Sequence, residues 1–93
     1  MCGLAGILAR PGAEVPEAVL DGFARALAHR GPDGQGRYRS GPLAMVHLRL
    51  AIIDLVTGDQ PLFGADRNVL IANAEIYNHV EWRRLLGEDK FRT

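Results

Sequence analysis

Apolar residues in this chain fall into short runs separated by glycine- and proline-rich punctuation, and the spacing changes from run to run. Residues 3–9 are small and apolar up to Arg10-Pro11-Gly12, a length that fits a buried strand better than a helix. After Pro16 the spacing becomes helical. Val19, Leu20, Phe23 and Leu27 form one stripe, with Glu17 in the first turn where the helix dipole favours an anion, which predicts a helix over about 16–28. Gly22 weakens that helix slightly. His29-Arg30-Gly31-Pro32 then supplies cations, a glycine and a proline, the usual stop signals.

Residues 31–42 are rich in glycine and proline around Asp33, Arg37 and Arg39, and read as a loop or tight hairpin region rather than a packed element. Leu43 to Ile53 is almost continuously apolar, as expected of a strand covered on both sides. Its polar interruptions, His47 and Arg49, stand two residues apart and so share one face. Thr57 to Pro61 reads as a turn, and Arg67 to Asn73 as a strand centred on Val69-Leu70-Ile71. Asn78 is placed to cap a closing helix, Glu81 to complete a capping box and Gly87 to end it. Strand, helix, several strands, helix is the order of an α+β fold, with helices against a largely antiparallel sheet.

At 93 residues the chain is enough for one small domain, without repeat or linker. Apolar content of 47% and charged content of 24% are those of an ordinary globular chain. Basic and acidic residues number 11 each, so no net field favours nucleic acid or a membrane surface, and the Arg83-Arg84 pair reads as a solvated helix face. One cysteine excludes an internal disulfide and fits a reducing, cytoplasmic setting. The apolar start lacks a basic leader and is far too short to span a bilayer.

Cys2 becomes the leading residue if Met1 is removed, which its small side chain permits. That places a thiol and a free α-amine on one residue, and α-amines ionise close enough to neutral pH to act as bases. Cysteine is also a common small buried residue. The His47–Arg49 face suits a polar ligand, because the arginine fork matches a carboxylate, but an edge strand with charges in water, or a histidine satisfied inside the core, also accounts for it from the sequence. Asn73-Ala74-Glu75-Ile76-Tyr77-Asn78 lies where a strand runs into a turn, where an amide and backbone N–H groups can stabilise an oxyanion and Glu75 can receive an ammonium; ordinary turn chemistry reads there too. His29, His47, His79 and Cys2 lack zinc-like spacing, and the glycines of 31–41 lack a phosphate-loop pattern.

Taken together, Met1-Cys2-Gly3-Leu4-Ala5-Gly6-Ile7, His29-Arg30-Gly31-Pro32-Asp33 with Gly36, His47 to Asp54, Gly58-Asp59-Gln60-Pro61-Leu62 and Asn73 to Asn78 resemble the class II glutamine amidotransferases over the whole chain. Within that family the domain of the glutamine-dependent asparagine synthetases is the best match. The resemblance implies the first half of a four-layer αββα N-terminal-nucleophile sandwich, and a glutaminase that feeds ammonia to the ATP-dependent amidation of aspartate. It further implies that Cys2 attacks the glutamine amide with its own α-amine as base. Arg49 would bind the substrate α-carboxylate, and Leu50, Ala51, Ile52 and Ile53 would line the pocket. The Asn73 side chain and the N–H of Ala74 would form the oxyanion hole, and Glu75 would hold the α-amino group.

The same resemblance implies no cofactor in this segment, ATP and Mg in the full-length enzyme, and glutamine as partner. It leads one to expect that the C-terminal half of the domain and the synthetase domain are missing, and that the exposed sheet favours a homo-oligomer. The family has glycine where this chain has Ala74, a change that costs on the order of 1 kcal/mol if φ is positive there and is nearly silent if it is negative. A piece cut short in this way is expected to be feebly active or inactive. The rival expectation is a decayed remnant that acts, if at all, through association.

Overall fold

The computed structural model describes all 93 residues. The chain opens with β1 (Gly3–Leu8), followed by α1 (Glu17–Leu27), β2 (Gly34–Ser40) and β3 (Leu43–Arg49). These strands form one antiparallel sheet in the order β1-β3-β2, with Gly3 opposite Leu48 and Gly36 opposite His47. A two-stranded ribbon follows, β4 (Leu62–Phe63) against β5 (Val69–Leu70), then α2 (His79–Leu86) and a single 3-10 turn at Glu88–Lys90. The architecture is α+β, as its element order predicts.

Alternation in β3 decides what each face of the sheet does. Ala44, Val46 and Leu48 point to one side, where Leu20 and Ala24 of α1 and Val15 ahead of it complete a buried core. Val19, Phe23 and Leu27 pack partly buried around it, so the predicted helical stripe is the one used. Pro16 sits at the N-cap with extended backbone, and α1 runs within the predicted bounds. The same face of β2 carries Arg37 and Arg39. Arg37 pairs with Glu17 at 2.5 Å and Asp21 at 2.8 Å, and Arg39 with Glu17 at 3.0 Å, fastening sheet to helix. The two carboxylates hold the Arg37 guanidinium's pKa above its ordinary value, the Asp21 hydrogen bond being the larger cause.

Several expectations need correction. Residues 34–40 form a full strand rather than a loop. Glycine there answers a close approach: a Cβ on Gly36 would overlap the Gln60 carbonyl oxygen and come within 2.8 Å of Pro61 Cδ. The expected strand to Ile53 stops at Arg49, and Ile52 and Ile53 are each 71% exposed. Beyond Arg49 the backbone curls around that residue's own guanidinium, whose Nη2 donates to the carbonyls of Ile53 (3.3 Å) and Asp54. The strand expected over 67–73 shrinks to Val69–Leu70, because Arg67 takes positive φ (63°) in the turn and breaks the run. Asn78 does stand at the N-cap of α2, but its side chain makes no capping bond. Its carbonyl instead takes the Glu81 and Trp82 N–H groups, so no capping box forms. Gly87 ends the helix at φ 99°, as expected.

Candidate active site

The face of the sheet away from α1 carries His47 and Arg49, the shared face that their spacing requires. Both are buried, His47 at 1% and Arg49 at 7% exposure, so the edge-strand reading does not hold. Over them opens a cleft of about 490 Å³. It is lined by Met1 and Cys2 at the head of β1, by Leu50, Ile52 and Ile53 after β3, and by Ala72, Asn73, Ala74, Glu75 and Tyr77. The residues named from sequence as nucleophile, carboxylate ligand, oxyanion donors and ammonium ligand therefore meet in one place. Ala51 does not line the cleft: its N–H turns away to the Asp33 carboxylate at 2.8 Å.

Cys2 is half-buried, and each of its ends is held. The Leu50 N–H points at Sγ from 3.3 Å, and Arg30 Nε donates to the Cys2 carbonyl at 3.1 Å. Arg30 follows α1, so the helix that anchors the sheet also fixes the backbone of the cysteine. Asp33 ties the next turn: its N–H donates to the Arg49 carbonyl at 2.9 Å, while its carboxylate takes Ala51.

Arg49 is oriented by a partly exposed ion pair with Asp59, Nη1 to Oδ1 at 2.9 Å, besides the two carbonyls it gathers. Gly58 leaves room for this placement, since a Cβ would push the Arg49 guanidinium aside and come within 3.1 Å of the Asp54 carbonyl oxygen. Asp54 stands at φ 52°, and its carboxylate stabilises the turn by accepting the Thr57 N–H (2.7 Å) and hydroxyl. These hydrogen bonds hold its pKa below the ordinary carboxylate value, with the Thr57 hydroxyl the largest cause.

Beneath the cleft, His47 Nε2 lies 3.2 Å from the Ala72 carbonyl, and Nδ1 is buried without a partner. Burial lowers the His47 pKa; the charge of Arg49 adds to this, and the Ala72 carbonyl and Asp59 oppose it. Gln60 completes the layer by bonding both the N–H and the carbonyl of Ala72. Ala74 is not in the left-handed region, since Asp54 and Arg67 are the non-glycine residues with positive φ. Asn73, Ala74 and Glu75 stand exposed on the cleft wall. Sequence reasoning gave no role to Gln60, Arg30, Asp33 or Tyr77. The signals for the first three were the motifs themselves, Gly58 to Leu62 and His29 to Asp33, whose polar residues make the bonds of Arg30 to Cys2, Asp33 to Ala51 and Gln60 to Ala72.

No group of three or more His, Cys, Asp or Glu side chains comes together to hold a metal ion. No helix is long and apolar enough to cross a membrane.

The chain is similar to a set of curated plant proteins. It is 42% identical over 95 residues to glutamine-hydrolyzing asparagine synthetase 1 of Arabidopsis thaliana, a match that covers 100% of this chain and 16% of the relative. It is 41% identical to the glutamine-hydrolyzing asparagine synthetase of Asparagus officinalis, with the same coverage, and 40% identical to that of Sandersonia aurantiaca, where it covers 18%. The chain thus spans less than a fifth of the length of these relatives. No solved structure matches it. The glutamine amidotransferase domain family matches residues 1–93, and the chain belongs to that family.

Proposed function

We propose that this chain supplies the glutaminase chemistry of an asparagine synthetase-like enzyme, with Cys2 as nucleophile. With Met1 removed, the Cys2 α-amine takes the thiol proton, and Sγ attacks the carbon of the glutamine side-chain amide. The C–N bond breaks, the amine returns its proton to the leaving nitrogen as ammonia, and a glutamyl thioester remains. Water, deprotonated by the same amine, attacks the thioester; glutamate leaves and the thiol is restored. Charge develops on the amide oxygen, and the Asn73 amide and the Ala74 N–H donate to it there. Arg49 takes the α-carboxylate of glutamine through its remaining N–H groups, and Glu75 takes the α-ammonium.

The observation that supports this reading is the cleft that gathers Cys2, Arg49, Asn73, Ala74 and Glu75 from segments scattered along the chain. In the longer protein the ammonia would amidate aspartate, with ATP and Mg supplied elsewhere. The residues here do not fit that pair: they offer no metal-ligand group, and the glycines of 31–41 lie in a strand and its flanking turns. The four-layer sandwich, a cytoplasmic location and self-association through the exposed sheet belong to the same proposal.

The test is covalent labelling. A diazo-ketone analogue of glutamine is expected to modify Cys2, as mapped by mass spectrometry, with free glutamine protecting and with glutamate release above that of Cys2→Ser. Absence of labelling from a folded chain lacking Met1 would refute the reading.

A further inference from the structure

Ala72 has no partner in the β-ladder, because β5 ends at Leu70. A side chain takes the place of a strand. The Ala72 N–H donates to Gln60 Oε1 at 2.6 Å, and Gln60 Nε2 donates to the Ala72 carbonyl at 3.0 Å. This is the double exchange that opposed residues make in an antiparallel pair, performed here by one primary amide. The second lone pair of the same carbonyl faces His47 Nε2 at 3.2 Å. Because a carbonyl only accepts, Nε2 carries the hydrogen, and the buried Nδ1 is the bare nitrogen.

Gln60 is itself placed by the sheet. Its carbonyl rests on β2 at Gly36, directly across from His47, where no larger residue fits. A continuous set of contacts therefore runs from the sheet through Gln60 and His47 to Ala72. The peptide plane held there is the one that leads into Asn73. With both its N–H and its carbonyl fixed, Ala72 sets the direction from which the Asn73 side chain and the Ala74 N–H enter the cleft.

We propose that Gln60, with His47 beneath it, is a positioning residue that aims the Asn73–Ala74 donors at the oxyanion. The proposal rests on the glutaminase reading of those two residues. The backbones of Cys2 and Arg49 are held by β1 and β3 and take no part in the Gln60–Ala72 bonds, so loss of those bonds disturbs turnover more than the grip on the substrate carboxylate.

Gln60→Ala and the near-isosteric Gln60→Glu test this in the full chain. Gln60→Ala is expected to lower kcat for glutamate release by roughly 10–100-fold, the scale of a displaced donor, with KM for glutamine within about threefold. Amide exchange at Ala72 should accelerate at the same time. Gln60→Glu keeps the acceptor and loses the donor while ionised. Its kcat relative to the unsubstituted chain is therefore expected to recover as the pH falls and the protonated carboxyl donates to Ala72. That recovery ties the loss to the missing donor rather than to side-chain volume, and the split between kcat and KM separates positioning from a purely structural role. An unchanged kcat in Gln60→Ala, KM rising in step with a falling kcat, or no acid recovery in Gln60→Glu would each overturn the proposal. Failure of the glutaminase reading looks different: the unsubstituted chain itself fails to label at Cys2, while Ala72 exchange still responds to Gln60→Ala.

Discussion

Replacing Gly36 by alanine asks how tightly the 58–61 turn is seated on the sheet. A Cβ at this position would overlap the Gln60 carbonyl oxygen and lie 2.7 Å from its carbon and 2.8 Å from Pro61 Cδ, where ordinary contact begins at 3.4 Å. The obstacle is backbone and a proline ring, so no rotamer change relieves it. The turn must retreat, and overpacking of this kind costs about 1–3 kcal/mol. Retreat also strains the two Gln60–Ala72 bonds, each worth about 0.5–1.5 kcal/mol net. The sum, roughly 2–6 kcal/mol, is a large part of the ~5–15 kcal/mol that holds a typical domain. For a chain of this size it corresponds to a fall in Tm of about 10 °C or more. Gly22→Ala is the reference: nothing lies within 4 Å of its added methyl, and a mid-helix glycine replaced by alanine gains about 0.5–1 kcal/mol. Thermal unfolding followed by circular dichroism compares the two directly. Equal melting temperatures for Gly36→Ala and the unsubstituted chain would refute the claim that this glycine is fixed by steric approach.

Further expectations concern the cleft. Because burial holds His47 neutral in the folded chain, the unfolded chain binds more protons below the ordinary value of 6.5; stability therefore falls as pH drops from there toward the lowered folded value and is insensitive to this group above it. Denaturant unfolding across that window should show a slope that His47→Gln removes. Ala74→Gly is expected to give no gain in kcat, since φ is not positive there, and to destabilise by about 0.4–1 kcal/mol through the freer unfolded chain; a large gain in glutamate release would contradict this. Asp54→Ala keeps the left-handed backbone and loses the Thr57 bonds and is expected to lower the melting temperature, whereas Asp54→Gly removes the strain and should melt later than Asp54→Ala. Arg49→Lys replaces a planar fork by a point charge, and is expected to raise KM for glutamine more than it lowers kcat in steady-state assays.

Local pattern carried the helical stripe of α1 and the common face of His47 and Arg49, because periods of 3.6 and two residues survive whatever packs on them. It failed where a residue's conformation answers to something distant. Gly34 and Gly36 look like turn residues by composition, yet Gly36 is a strand position cleared for Gln60, which lies far along the chain. Ile52 and Ile53 look like core, but an arginine three or four residues earlier draws the backbone round itself and leaves them outside. The cleft residues were legible as motifs. What was not legible is the layer beneath them, since one glutamine amide bridging twelve residues has no periodic signature. The absent capping box at Asn78 shows the same limit: the right letters stood at the right spacing, and the backbone carbonyl took the donors first.

All ten buried residues lie at or before Arg49, and none of residues 50–93 is buried. The cleft therefore straddles a seam between a firm portion of the chain and a soft one. Local opening free energies follow buried contact, so amide exchange is expected to be slow through β1 and β3 and fast through β5 and α2. Glutamine could then enter and glutamate leave by a brief yielding of one wall, while the mount of the nucleophile stays still.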